Sequence, residues 1–490
     1  MRKIFAITSL VILTAVFSFQ TFCFTAFADE PYDVYNYDSN GSAIPSQAGY
    51  TAVKSVSGNS LGISDFSSPN DIFVDADGAV YITDTNNNRI VVLNSELDTV
   101  TDIYDTFRYS DSSETTLSKP MGIYISDERD MIYIADSENS RVLIADSECN
   151  VISEIKKPES VIYTQNTFNP LKVLSDNAGN VYVALGNITS GAAMFSPSNE
   201  FLGFYGANRV DSAPETIDTF MKKLFSTDKK KARQERNIPS AITNFDIDEK
   251  GFIYTCTQSV SQYTDIIKKI NSAGKNIFAD KEVQYGDITP VYDSSENTYY
   301  HTKITDIDIS SGGYINCLDL TTGRIFQYDE ECNLLFIMGT KAKQTGGFSN
   351  QVTAIESFGD MLYVADGMKN TFTVFRETQF GKTVHKAISL YNDGLYEEAL
   401  EPWYEVLRYD GNYRMAHLGI SVALLRKNDY EGAMKYAELA RSSYYYNKAF
   451  EGLRNEFLKK NFPLIIFALI TIPSLIFAIK KLRKTHRKRS

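Results

Sequence analysis

The sequence predicts a mainly β protein: a six-bladed β-propeller, a small α-helical repeat module behind it, and one C-terminal transmembrane helix. Three observations carry that expectation. A strand–turn–strand pattern returns at intervals near fifty residues, a 34-residue helical period replaces it after Arg376, and an uncharged apolar run precedes a basic tail.

Residues 69–93 read PNDIFVDADGAVYITDTNNNRIVVL, and residues 120–144 read PMGIYISDERDMIYIADSENSRVLI. In both, alternating β-branched and aromatic residues run into a Gly/Asp turn. A second strand then ends in Asp84 or Asp136, and Arg89 or Arg141 opens a third. Alternation bounded by turn residues is what half-buried antiparallel strands require. Tyr81, Tyr133, Tyr182, Tyr254, Ile315 and Tyr363 mark the second strand of six copies, at spacings of 52, 49, 72, 61 and 48. Three residues before each stands Gly78, Asp130, Gly179, Gly251, Gly312 or Asp360, the expected hairpin turn. Six such copies fit a propeller of four-stranded blades, and the two long intervals hold insertions.

The segments DTNNNR (84–89) and DSENSR (136–141), each following a Tyr-Ile strand, resemble the NHL repeat. That resemblance covers roughly residues 50–378 and implies a six-bladed propeller, usually a binding platform and occasionally an enzyme. Repeat six keeps Tyr363 to Asp366 but has Thr371 where the arginine stands, and repeats three to five diverge further.

The propeller is expected over residues 29–380, with a helical excursion at about 211–237. There Ile217, Phe220, Met221, Leu224 and Phe225 fall at helical spacing. Cys256 and Cys317 lie two residues after their markers, where other repeats carry small residues, so packed thiols are expected. Cys149 and Cys332 occupy matching turns in non-neighbouring repeats, and four free thiols follow.

Residues 383–460 change texture. Tyr396-Glu-Glu-Ala399-Leu400 returns 34 residues later as Tyr430-Glu-Gly-Ala433-Met434, with Ala387 matching Ser421 and Trp403 matching Ala437. The period resembles tetratricopeptide repeats, which pair helices around small residues. The module is expected to be separable from the propeller, its last helix running into the membrane.

Residues 1–28 have the layout of a signal peptide: Arg2 and Lys3, an apolar run, then Ala26-Phe27-Ala28. Residues 462–479 carry no charge and would span about 27 Å as a helix, enough for a hydrocarbon core. Seven cations crowd residues 480–490, which the positive-inside rule keeps in the cytoplasm. The expected product is a single-pass membrane protein with its large N-terminal part outside the cell membrane. Without Arg2, Lys3 and the seven tail cations, 40 of the 49 basic residues face 61 acidic ones, a charge of −21. Such a surface excludes nucleic acid as a partner.

No nucleophile elbow, Walker loop or HExxH occurs, and of four histidines only His301 falls in the repeat region. No catalytic, cofactor or metal residue is therefore assigned. The pairs Asp75/Asp77, Asp246/Asp248 and Asp306/Asp308 are read as strand-to-turn residues. The expected function is binding: a propeller recognising a protein or glycan of the cell envelope, and helices contacting a membrane partner such as a transport or secretion complex. The alternative is a metal-dependent, lactonase-like hydrolase or lyase working in the channel.

Overall fold

The computed structural model describes residues 32–486 apart from 33, 39, 187, 208–240, 259–265, 282 and 294–296. The signal segment and the helical excursion at 211–237 lie outside the described residues.

Six antiparallel sheets form the propeller. Their innermost strands are Pro69–Val74, Pro120–Ser126, Pro170–Ser175, Asn244–Ile247, Ile304–Ile309 and Val352–Phe358, each beside the next in a closed ring. Within blades one to five the strands follow in chain order, and the fourth blade has three strands among the described residues. Residues such as Val80, Ile82, Ile134, Val183, Ile315 and Val364 are 0–2 % exposed in the second strands, which satisfies the β-branched patterning.

The turn frame holds in four blades. Gly78, Asp130, Gly179 and Gly251 have positive φ. In the fifth blade Gly313 takes that conformation, and Asn316 rather than Ile315 pairs with the inner strand where the other blades place tyrosine. In the sixth, Gly359 replaces the expected Asp360. Cys256 and Cys317 are consequently not equivalent, although both are fully buried in one cluster between blades four and five. All four described cysteines are free.

The ring closes in a way the repeat does not announce. Tyr50–Ser57 is the outermost strand of the sixth blade, antiparallel to Thr371–Glu377. Each end of the chain segment thus completes one sheet. A lone strand has no hairpin partner beside it in sequence, so the repeat frame misses it.

Helix α1 (Gln379–Asn392) follows that last strand directly, capped by Thr378, whose Oγ1 accepts from Gly381 N at 3.1 Å. Helices α2 (Leu400–Tyr409), α3 (Arg414–Arg426) and α4 (Tyr430–Leu439) pack consecutively. Ala387, Ala399, Trp403, Ser421, Ala433 and Ala437 are all buried, and Gly419 lets the Trp403 ring approach where a Cβ would meet Nε1 at 2.3 Å. The expectation of a separable module is corrected. Phe380, Val384, Trp403, Val406 and Tyr413 share one continuous core with Tyr50, Leu335, Phe336, Val352 and Phe375 of the propeller. The physical reason is that blades five and six present apolar residues on their outer strands, which α1 and Tyr413, just before α3, cover.

Helix α5 (Ser443–His486) runs 44 residues without a break despite Pro463 and Pro473. It is the one described helix long and apolar enough to cross a membrane.

Candidate functional site: an acidic channel

Inner strands have a free edge toward the propeller axis, and their outward N–H groups need acceptors. Here side chains supply them. Asp71 Oδ2 accepts from Ile123 N at 2.8 Å, joining blade one to blade two. Asp246 Oδ2 accepts from Ile309 N (2.6 Å), Asp306 Oδ2 from Ile355 N (2.7 Å) and Asp308 Oδ1 from Ser357 N (3.0 Å). Glu356 Oε1 accepts from Val74 N at 3.4 Å and closes the circuit from blade six to blade one. Four of the six blade junctions carry such a staple.

Lys172, from blade three, donates to Asp71 of blade one and lies 4.0 Å from Asp306 of blade five. Only the axis brings three alternate blades together, so these groups line the central channel. One level of the ring is Asp71, Gly122, Lys172, Asn244, Asp306 and Ala354. The next, two residues along each strand, is Phe73, Tyr124, Leu174, Asp246, Asp308 and Glu356, three apolar or aromatic residues facing three acids.

Five carboxylates and one ammonium therefore share the channel. Burial pushes Asp246 above the ordinary carboxylate range, and the neighbouring charge of Asp308 pushes the same way. Burial raises Asp306 and Asp308 too, against the pull of Lys172 on the first and of hydrogen bonds from Asn316 and Ser357 on the second. Glu356 is raised well above the ordinary carboxylate range, by burial and then by Asp308 and Asp246. For Lys172 burial opposes the charge, but Asp306 and Asp71 outweigh it and hold the ammonium protonated.

A pH dependence follows. Acids whose folded pKa is raised bind more protons folded than unfolded, so they subtract stability as pH rises through the window from about 4 to the raised values. The full chain should melt several degrees higher at pH 5 than at pH 8, and Glu356→Gln should flatten the difference. A melting temperature that rises steadily from pH 5 to pH 8 in the unmodified protein would contradict it.

The sequence reading of the acidic pairs splits in two. Asp75 and Asp248 are turn residues: Asp75 Oδ1 accepts from Asp77 N and Ala79 N, Asp248 Oδ1 from Lys250 N and Phe252 N. For Asp246, Asp306 and Asp308 the turn reading is corrected, because they face the channel. The pairs were not equivalent: Asp75 corresponds to Asp248 and to Ser310, each donating its N–H across the same turn. Asp71, Lys172 and Glu356 escaped notice, although a charge inside an apolar strand such as PLKVLS or VTAIESF is a readable signal.

The repeat signature itself is a brace. Asp136 Oδ1 accepts from Ser118 N (2.7 Å), while Oδ2 accepts from Asn139 Nδ2 and Arg141 Nε, both at 2.8 Å. Asp84 does the same with Ser67 N, Asn87 and Arg89. Asp366 keeps the link to Ser349 N and turns to Met368 N and Lys369 N where the arginine is missing. Among the described residues, no three His, Cys, Asp or Glu side chains are arranged to hold a metal ion.

No curated protein matches the chain. Similar solved structures include virginiamycin B lyase from Staphylococcus aureus, 11 % identical, covering 66 % of this chain and 99 % of that one at a TM-score of 0.39. Hydrazine synthase from Kuenenia stuttgartiensis is 12 % identical over 64 % of this chain and 97 % of its own, with a TM-score of 0.38. PorZ, a surface component of the type-IX secretion system of Porphyromonas gingivalis, is 14 % identical over 62 % and 46 %, with a TM-score of 0.36. The family model that matches is the NHL repeat, over residues 66–93, the first blade with its Asp84–Arg89 brace.

Proposed function

We propose that the protein is a membrane-anchored binding protein of the cell envelope, its propeller outside the cell membrane and its basic tail in the cytoplasm. The observation that carries this reading is the use to which the channel acids are put. Each accepts a backbone N–H of the next blade, and Lys172 occupies the space between Asp71 and Asp306, so these groups hold the ring together. Recognition of a protein or glycan then falls to the outer surfaces. The helices, which we read as tetratricopeptide-like from the buried small residues at the 34-residue period, contact a membrane partner beside the span.

A second reading has one observation in its favour. Asp246, Asp308 and Glu356 are buried acids held toward the protonated form, and a neutral carboxylic acid in a channel can act as a general acid in a hydrolase or lyase. Purified full-length protein in detergent separates the two. Binding predicts no stoichiometric metal and no turnover of lactones or small esters with calcium, zinc or manganese added. Turnover lost on chelation, or lost in Glu356→Gln, would favour the enzyme. Protease added to spheroplasts should degrade the propeller and spare a tag after Ser490; a protected propeller would overturn the orientation.

A further inference from the structure

A line of buried polar side chains leaves the channel and ends in the helical module. Asn316 Nδ2 donates to Asp308 Oδ2 at 2.7 Å, and Gln327 Nε2 donates to Asn316 Oδ1 at 2.8 Å. Gln327 Oε1 lies 2.7 Å from Nε2 of His385, on α1. Beyond it, Glu377 Oε1 is 2.6 Å from His385 Nδ1, a charge contact outside hydrogen-bond geometry. Asn316 and Gln327 are fully buried, and the imidazole is stacked on Tyr314 at 3.9 Å. We propose that this relay couples the ionisation of Asp308 in the channel to that of His385 in the helical module, so that one proton is held at one end or the other.

The argument is one of donor and acceptor parity. A primary amide presents one donor side and one acceptor side, so two in series fix the polarity of the whole line. With Asp308 ionised, both amides point their nitrogens toward the channel, and His385 must donate from Nε2. The close Nδ1–Glu377 contact also needs a proton, so the His385–Glu377 pair then carries two. With Asp308 protonated, its hydroxyl donates to Asn316 and both amides reverse. Gln327 donates to His385 Nε2, and the pair carries one. Tyr50, whose hydroxyl lies 3.3 Å from Gln327 Nε2, can donate or accept and so serves both arrangements. Any intermediate polarity sets two buried acceptors or two donors face to face.

The groups facing each end are few. Around Asp308 stand Asp246 from blade four, Glu356 and Tyr50 from blade six, Lys172 from blade three, Asp306 on its own strand and Cys317 on the strand beside it. Around His385 stand Glu377, Tyr314 and Tyr50, with Lys382 and Lys386 exposed on its own helix. By reciprocity, whatever holds Asp308 ionised favours the cation at His385, and an event at the helices is felt in the channel. This coupling holds whether the channel binds or catalyses.

The test uses full-length protein in detergent micelles with nitrogen-15-labelled histidine, the four histidines being assigned with a His385→Gln variant. In Asp308→Asn, the new amide oxygen is fixed by the Ser357 N–H at 3.0 Å, which turns its nitrogen toward Asn316 and locks the reversed polarity. The His385 midpoint is expected to fall by about one pH unit or more, a tenfold loss of imidazolium. Adding Asn316→Ala should erase most of that difference, which a merely structural effect would not do. An unchanged midpoint in Asp308→Asn would overturn the proposal. Should that variant not fold, the unmodified protein decides. Its His385 signal should show a second inflection where Asp308 titrates, lost in Gln327→Met; a single inflection in both would equally overturn the relay.

Discussion

A chain ending at Thr378 will not accumulate as a soluble propeller. The cut removes Phe380, Val384, Trp403, Val406 and Tyr413 from a core they share with Tyr50, Leu335, Phe336, Val352 and Phe375, and leaves that apolar face bare. The interface is tied by polar contacts as well: Tyr413 donates to Leu335 O at 3.2 Å, and Ser46 to Asp410 Oδ2 at 2.7 Å. A point variant tests the same core without truncation. Phe336 is 2 % exposed and its ring meets Tyr50, Phe380 and His385 at centroid distances of 6.3, 5.8 and 5.6 Å. Phe336→Ala should cost about 4 kcal/mol in a denaturant titration. Recovery of the truncated chain as a monodisperse propeller with the parent's melting temperature would show that the helices are an appendage.

The second large effect is expected at the seam of the ring. Pairing Tyr50–Ser57 with Thr371–Glu377 closes a loop of roughly 320 residues. By chain-entropy scaling such a closure costs about 5 kcal/mol, so the strand must return at least that much through packing. Val56 is fully buried against Phe66, Ile72 and Phe372. Val56→Asp places an unpaired charge there and should destabilise the protein by several kcal/mol, with unfolding that starts between blades six and one. Ser55→Asp, one residue away on the exposed side, should change stability by less than about 0.5 kcal/mol. Limited proteolysis that cuts both variants alike would mean that the ring is closed elsewhere.

The blades were legible because a strand's alternation and its turn residues are local. PNDIFVDADGAVYITD carries its own hairpin, and Asp84 and Arg89 stand close enough in sequence to be recognised as a unit. The apolar stretch 462–479 within α5 was legible for the same reason, since it is an uninterrupted run of uncharged residues. What depended on the closed ring was not legible. Asp71, Lys172 and Asp306 belong to blades one, three and five and meet only at the axis, and Tyr50–Ser57 finds its partner some three hundred residues away. Nor could spacing distinguish Asp246 from Asp248: two residues along a strand keep the same face, and only the bend of the turn sends one to the channel and the other to cap a hairpin. Sequence alone determined the repeating unit, its number and a C-terminal helix long and apolar enough to cross a membrane, because short-range hydrogen bonding and hydropathy settle those. Tertiary structure alone decided the channel, the seam and the shared core with the helices, because each depends on surfaces that exist only once six blades have closed on one another.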